Sequence, residues 1–210
     1  MKSAAVILVF ARAPIPGRAK TRLAPRLGEW GAARLQARLT LRALSMAKRA
    51  ACGQVELHGA PRGAHAFFRH CRNKFRVRVK AQRGADLGKR MHRALSMALR
   101  SHRVALLIGT DCPDLGPRDL QRAARLLRGA CAMVLAPAED GGYALIGARR
   151  VSPALFEGVS WGSSEVFSET RIRLAAADYQ WRALRKVWDI DRPEDLERHV
   201  RLLPYLWRGR

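Results

Sequence analysis

Apolar residues in this chain form two kinds of run, and the alternation between them predicts the architecture. Short unbroken runs, Ala4 through Phe10, Val104 through Ile108 and Met133 through Ala136, read as strands buried on both faces, because a strand covered by helices leaves no side for polar residues. Elsewhere the apolar positions recur at three- and four-residue steps. Leu35, Leu39, Ala43, Met46 and Ala50 draw one buried stripe on a helix over 29–51, with arginines on its outer face. Leu87, Met91, Leu95 and Leu99 draw a second, Leu120, Ala124 and Leu127 a third, and Val166, Thr170 and Leu174 a fourth. Weaker strand signals lie at 54–58, at 187–188, and at 76–80, where valines alternate with Arg76, Arg78 and Lys80 as on an edge strand protected by charge. Glycines and a proline predict a loop at 59–63. Strands alternating with helices, without a repeat or a flexible linker, predict one domain over 1–210: an α/β sandwich around a mainly parallel sheet.

The run ending at Ile108 organises the rest. It gives way to Gly109-Thr110-Asp111-Cys112-Pro113-Asp114, the pattern of a buried parallel strand surfacing at a ligand crevice. Gly116-Pro117 then starts a helix with proline at its first position, so Asp111 or Asp114 has an alternative role as its cap. The first strand runs into Ala11-Arg12-Ala13-Pro14-Ile15-Pro16-Gly17-Arg18-Ala19-Lys20-Thr21-Arg22, where prolines and a glycine make a stiff frame that presents basic groups to phosphate. The spacing of a Walker loop is missing, which argues against P-loop ATPase chemistry.

Gly84-Ala85-Asp86-Leu87-Gly88 opens the second helix. Asp86 suits the N-cap, and the two glycines also suit close approach of a base or phosphate to backbone N–H groups. Glu139-Asp140-Gly141-Gly142 reads either as a hairpin turn or as a substrate loop beside the strand that ends at Asp111. Ser160 through Glu165, with Trp161 inside it, reads as a helix start with hydroxyl caps, and Asp189-Ile190-Asp191 precedes a helix with Pro193 near its beginning. Carboxylates at the ends of separate strands suit Mg²⁺ or Mn²⁺, which take oxygen ligands and keep waters and substrate phosphates; Asp111 and Asp191 are the candidate ligands. His58, His65 and His70 lack ligand spacing and read as surface or packing residues.

Charge adds one feature. Of the net +23, nearly all belongs to residues 1–110, which hold 24 Lys and Arg against 3 Asp and Glu; residues 111–210 hold 16 against 14. Such asymmetry attracts polyanions in general, nucleic acid, an anionic membrane surface or a phosphorylated substrate, or is simply a solvated arginine-rich surface. Cys52, Cys71, Cys112 and Cys131 show no paired spacing, which argues against structural zinc and a disulfide framework and fits a reducing cytoplasm. The first apolar run is too short for a membrane span and lacks a cleavage site, so no transmembrane segment or leader is expected. Oligomeric state is not legible.

Five motifs in order then carry a resemblance over most of the chain: Phe10-Ala11-Arg12-Ala13-Pro14 through Lys20-Thr21-Arg22-Leu23-Ala24-Pro25, Gly84-Ala85-Asp86-Leu87-Gly88, Gly109 through Leu115, Glu139-Asp140-Gly141-Gly142-Tyr143, and Asp189-Ile190-Asp191-Arg192-Pro193-Glu194-Asp195-Leu196. The chain resembles the bacterial family DUF2064, proteins classed as GT-A glycosyltransferases, some linked to arsenosugar biosynthesis. The resemblance implies a GT-A, Rossmann-like fold of the nucleotide-diphospho-sugar transferase superfamily, which also contains nucleotidyltransferases. It implies that Asp111 and Asp191 hold the metal, and that Ala11, Arg12, Gly17, Arg18, Lys20 and Arg22 grip phosphate. Gly84 and Asp86 fall where the base or ribose is held; Asp114, Glu139, Asp140, Gly141, Gly142 and Trp161 fall on the sugar or acceptor side. The sequence departs from the pattern at Gly162-Ser163, where relatives carry Ser-Thr, and at Arg192, where Thr is usual.

The function so implied is a metal-dependent glycosyltransferase, moving a sugar from a nucleotide-diphosphate donor to a small-molecule acceptor. Asp111, Asp140 and Lys20 form its catalytic set, with Asp140 as general base. Two alternatives stand beside it. One is a nucleotidyltransferase that joins a nucleoside monophosphate from a nucleoside triphosphate to a phosphorylated small molecule and releases pyrophosphate. The other is a nucleic-acid-binding protein using the basic first half, although aromatic interleaving and known binding motifs are lacking.

Overall fold

Parallel pairing of the most apolar runs sets the frame. In the computed structural model, which describes residues 3–61 and 63–198, β1 (Ser3–Arg12) lies between β2 (Gln54–Ala60) and β4 (His102–Ile108), parallel to both. Beyond β2 lies β3 (Arg78–Ala81), the expected charged edge. On the other side β6 (Tyr143–Ala148) runs antiparallel between β4 and β5 (Met133–Pro137), and β7 (Trp181–Ala183) closes that edge parallel to β5. The sheet has seven strands in the order β3-β2-β1-β4-β6-β5-β7.

Alternation along β1 divides the core in two. Ile7, Val9 and Ala11 pack with Leu44 of α1 (Ala24–Ala50), Phe68 of α2 (Ala66–Phe75) and Leu120 of α4 (Pro117–Arg128). Val6, Leu8 and Phe10 point the other way, to Met91 and Leu95 of α3 (Leu87–Ser101) and Leu174 of α5 (Val166–Ala176). Helices therefore cover both faces, as the unbroken apolar strands require. A third cluster, Leu23, Leu35, Leu39, Ile190 and Leu196, fastens α1 and the turn before it to the stretch leading into α6 (Pro193–Arg198).

Several elements differ from expectation for identifiable reasons. The helix α2 carries Phe68 and Cys71 on its buried side but is capped by the imidazole of His65, which accepts from Phe67 N at 3.2 Å; histidine is outside the usual capping set. Gly59 and Ala60 extend β2 instead of forming a loop, and a Cβ on Gly59 would come within 2.4 Å of the Phe68 ring, so glycine here serves packing. Arg62, in the same expected loop, lies outside the described residues. Val187 makes a single parallel bridge to Ala138, while the real edge strand β7 spans three residues, too few to show alternation. Hydroxyls do not cap α5: Ser163 Oγ accepts from Glu165 N, and Ser160 donates through N and Oγ to the Glu169 carboxylate. Neither Asp111 nor Asp114 caps α4, whose N-cap is Gly116, donating to Asp119 Oδ2 at 2.9 Å.

One buried charge cluster lies within the sheet. Glu56 of β2 is nearly inaccessible, with His58 Nε2 at 3.2 Å and Lys80 Nζ of β3 at 2.9 Å from its Oε2. Burial pushes this carboxyl up, but hydrogen bonds from His58 and Lys80 and their charge outweigh burial and hold it at about 2. A carboxyl with a depressed folded pKa adds stability that is present above its unfolded value of 4.5 and is lost as pH falls toward 2. Glu56→Gln should therefore cost about 2 kcal/mol at pH 7. Urea unfolding should show the gap from wild type narrowing between pH 5 and pH 3; a gap independent of pH would exclude the charged cluster as its source.

The turn between β5 and β6 generates a second test. Gly141 has φ of 86°, and a Cβ there would fall 2.0 Å from Ser164 O. Gly141→Ala should lower the thermal midpoint by roughly 4–8 °C, corresponding to about 2 kcal/mol. An unchanged midpoint would mean that the 160–165 segment is not seated on this turn.

Candidate active site

Strand order reverses beside β1. The chain passes from β1 outward to β2 and β3, then returns to β4 on the opposite flank, so the loops leaving the carboxyl ends of β1 and β4 diverge and leave a crevice. The loop after β1 is tied down by its backbone: Ala13 N donates to Ala60 O at 2.8 Å, and Ile15 O accepts from both Arg18 N and Ala19 N at 3.0 Å. Gly17 takes a left-handed turn, φ 72°, and Lys20 takes another, φ 51°, a conformation that disfavours a side chain with a Cβ.

The contacts of Lys20 account for that conformation. Its side chain is 3% exposed, and Nζ donates to Ile190 O, lies 3.0 Å from Asp111 Oδ1 and lies 3.8 Å from Asp191 Oδ1. Arg22 Nη1 donates to Asp191 Oδ2 at 2.5 Å. Asp111 is fixed from behind, since its backbone O accepts from Ile190 N at 2.9 Å and Thr110 Oγ1 lies 3.3 Å from Oδ1. Gln36 Nε2 of α1 in turn reaches Thr110 Oγ1 at 3.2 Å. Asp191 is fixed by Asp195, whose Oδ2 accepts from the N–H groups of Asp191 and Arg192 at 2.9 and 2.7 Å. Two carboxylates 80 positions apart in sequence thus face one ammonium.

A third carboxylate shares this field. Asp189 is pushed up to about 6 by burial first, then by Asp140 and Asp195, with Lys20 pulling the other way. The Cys112 thiol is pushed well up by burial, then by Asp111, Asp189 and Asp140. Asp189 is the other half of an Asp-x-Asp pair, and spacing alone leaves open which member pairs with Lys20; in the structure Asp191 does, with Ile190 buried between the two.

The other candidates are spread around the crevice. Ala11 is buried at the end of β1, while Arg12, Gly17 and Arg18 are exposed beyond it. Gln82 Nε2 donates to His58 O at 2.8 Å and reaches Ala11 O at 3.3 Å, joining the loop after β3 to β1. In that loop Gly84 has φ of 150° and would meet Arg90 N if given a Cβ; Asp86 caps α3, accepting from Lys89 N at 2.7 Å. Asp140 Oδ1 accepts from Gly142 N at 2.8 Å, so the Glu139-Asp140-Gly141-Gly142 turn is a hairpin, with both carboxylates exposed. Trp161 packs its indole on Gly88 and meets Tyr143 edge-on at 6.5 Å between centroids, which places it between the start of α3 and the hairpin. Asp114 is engaged by Arg185, whose Nη1 donates to its Oδ2 at 2.7 Å while Nη2 donates to Asp119 Oδ2 at 2.8 Å.

Asp111 and Asp191 fit a hard divalent cation in kind. They come from separate segments, face a common positive charge, and keep about half and a third of their side-chain surface accessible. Among the described residues no three or more His, Cys, Asp or Glu side chains gather as a complete metal site, so protein oxygens can supply only part of a coordination shell. Mg²⁺ usually takes one or two carboxylates and fills the rest with water and substrate phosphate.

The fold has solved relatives. A protein from Desulfovibrio desulfuricans G20, provisionally named a nucleotide-diphospho-sugar transferase, superposes with a TM-score of 0.83 at 30% identity over 90% of this chain and 83% of that one. A CMP-2-keto-3-deoxy-manno-octonic acid synthetase solved with CTP superposes at 0.62 and 14% identity, covering 97% of this chain and 99% of that one. A Mycobacterium tuberculosis H37Rv protein solved with manganese superposes at 0.51 and 18% identity, covering 94% and 98%. The last two likenesses concern the fold alone. No curated protein matches the sequence. The profile of uncharacterized proteins conserved in bacteria, DUF2064, matches residues 43–163, a span from α1 through β4 and Asp111 to the Trp161 segment. With more than half of its length matched in this way, the chain belongs to the DUF2064 family.

Proposed function

We propose that this chain is a metal-dependent transferase that moves a sugar from a nucleoside-diphosphate donor to a small acceptor. The observation that carries the reading is the meeting of Asp111 and Asp191 at Lys20 Nζ, at the carboxyl ends of the two strands where sheet order reverses. The named likeness to the Desulfovibrio protein supports the sugar-nucleotide part, and the neighbour solved with manganese supports the metal part.

In this reading the base and ribose lie between the Gly84–Asp86 loop and the end of β1, where Gln82 fixes the backbone of Ala11. Arg12 and Arg18, exposed on the braced loop, would bind the diphosphate without losing much freedom, because the loop's own hydrogen bonds have already ordered it. Asp111 and Asp191 would hold Mg²⁺ or Mn²⁺, which when bound neutralises charge on the departing diphosphate. Lys20 and Arg22 lie against the same carboxylates and add positive charge there. Asp140, exposed on the hairpin and oriented by Gly142 N–H, would take the proton of the acceptor hydroxyl as general base. Glu139, Gly141 and Gly142 would shape the same wall, with Trp161, whose indole packs on Gly88 at the start of α3, closing it. No helix among the described residues is long and apolar enough to cross a membrane; the four free cysteines fit a reducing cytoplasm, where we place the reaction.

A second reading, nucleotidyl transfer, draws support from the CTP-bound neighbour of like fold. Products separate the two: sugar transfer frees a nucleoside diphosphate or monophosphate, whereas nucleotidyl transfer frees pyrophosphate. A panel of nucleotide sugars and nucleoside triphosphates, offered with Mn²⁺ and scored for both products, should yield nucleoside diphosphate or monophosphate without pyrophosphate. Asp111→Asn should weaken Mn²⁺-dependent UDP or GDP binding tenfold or more, about 1.4 kcal/mol or above, in calorimetry. Unchanged binding would remove the metal assignment. Steeply salt-dependent DNA binding that survives Asp111→Asn, with no nucleotide affinity, would instead favour a nucleic-acid-binding role for the basic first half.

A further inference from the structure

We propose that Lys20 is a positioning residue that stands in for the divalent cation while the crevice lacks nucleotide, so that metal enters together with the diphosphate and not before it. The inference rests on the metal-transferase reading above and concerns the order of loading, which that reading leaves open.

The starting point is the position of the ammonium. Lys20 Nζ donates to Ile190 O, lies 3.0 Å from Asp111 Oδ1 and faces Asp191 Oδ1 at 3.8 Å. Its stem is buried, and the backbone adopts a left-handed φ of 51° to deliver it there. A Mg²⁺ or Mn²⁺ ion held by these carboxylates would take oxygens that the ammonium now faces. Two positive centres that close together in a half-buried site repel strongly. A divalent ion on these carboxylates therefore competes with the ammonium, and its binding is favoured when the ammonium withdraws.

Charge balance says what makes withdrawal favourable. Asp111, Asp191 and the neighbouring Asp189 against Lys20 and Arg22 leave the cluster with one net negative charge. A divalent ion alone would reverse that sign, and a displaced Lys20 would have lost its anions. A metal–diphosphate complex brings at least two negative charges with the ion, leaves the balance of the cluster as it was, and gives the ammonium phosphate oxygens to bind. The coupling is reciprocal: nucleotide should tighten metal by the same factor as metal tightens nucleotide. With the ammonium removed, the carboxylate pair should accept the ion without nucleotide, and most of the coupling should vanish.

Direct Mn²⁺ binding, read by the loss of the free-ion electron paramagnetic resonance signal, tests this without any turnover. Wild type should bind Mn²⁺ alone weakly and at least roughly tenfold more tightly with saturating UDP or GDP. Lys20→Met should bind Mn²⁺ alone at least tenfold more tightly than wild type, with little further gain from nucleotide, whereas Lys20→Arg, which keeps the charge, should behave like wild type. Circular dichroism and the thermal midpoint check folding; if Lys20→Met does not fold, Lys20→Gln, which keeps a donor for Ile190 O, takes its place with the same expectation. The proposal is overturned if the neutral variant binds Mn²⁺ alone no more tightly than wild type while Asp111→Asn abolishes Mn²⁺ binding in the nucleotide complex; the metal reading then stands without it. If Asp111→Asn leaves Mn²⁺ binding in that complex unchanged, the metal reading itself fails.

Discussion

One buried ammonium gathers the parts of this crevice. Carboxylates that meet without a cation repel, and each would sooner stay in water; Lys20 makes their approach favourable because it is already desolvated and offers three donors. Its left-handed backbone disfavours a residue with a Cβ, and a position of that kind persists only where surrounding contacts over-determine it. Here they do: the loop is bound to β2 through Ala13, turned at Gly17, and followed by Leu23, which is fully buried.

Packing and electrostatics meet at that leucine. Leu23, Leu35, Leu39, Ile190 and Leu196 form a cluster apart from the two main cores, and its members flank both halves of the charged pair: Leu23 lies three residues after Lys20, and Ile190 one before Asp191. Ile190 also gives its N–H to Asp111 O and its C=O to Lys20 Nζ, so a single residue connects all three charged groups through its backbone while its side chain is anchored in leucines. The charged geometry is therefore set by apolar burial and main-chain hydrogen bonds, which respond little to salt or pH, and not by the ion pairs alone.

The elements that position the site were legible for a physical reason. Strands buried on both faces must be continuously apolar, so β1, β4 and β5 stand out, and the carboxylates that interrupt such runs mark the carboxyl edge of the sheet. What escaped was either too short or too unusual to leave a pattern: β7 has three residues, and α2 starts from a histidine cap. Asp111 and Asp191 were candidates from residue type and, for Asp111, from its place after β4; that Lys20 and Arg22 face them was not legible. Basic residues on a rigid loop suggested open phosphate ligands, whereas Lys20 faces Asp111 and Arg22 faces Asp191, because contacts between residues 91 and 169 positions apart have no signature in local sequence. Asp114 shows the converse: as a carboxylate beside the crevice it resembled a ligand, yet Arg185 of a distant segment holds it.

The large positive charge and the crevice are separate features, and their separation bears on how the protein finds its substrate. The helices α1, α2 and α4, which cover one face of the sheet, carry exposed Arg34, Lys48, Arg49, Arg69, Arg72, Lys74, Arg118, Arg122, Arg125 and Arg128, against only Glu29 and the Arg185-bound Asp119 among acidic residues. That field extends over roughly a Debye length, about 8–10 Å in physiological salt, and concentrates anions of every kind near the surface. Discrimination must come from the crevice, where Asp111, Asp191 and Asp189 face Lys20 and Arg22 and a simple anion gains little by entering. In the proposed reading a diphosphate that arrives with its own divalent ion fits such a site better than one arriving bare, since the ion would meet the acidic groups while the phosphates meet the basic ones.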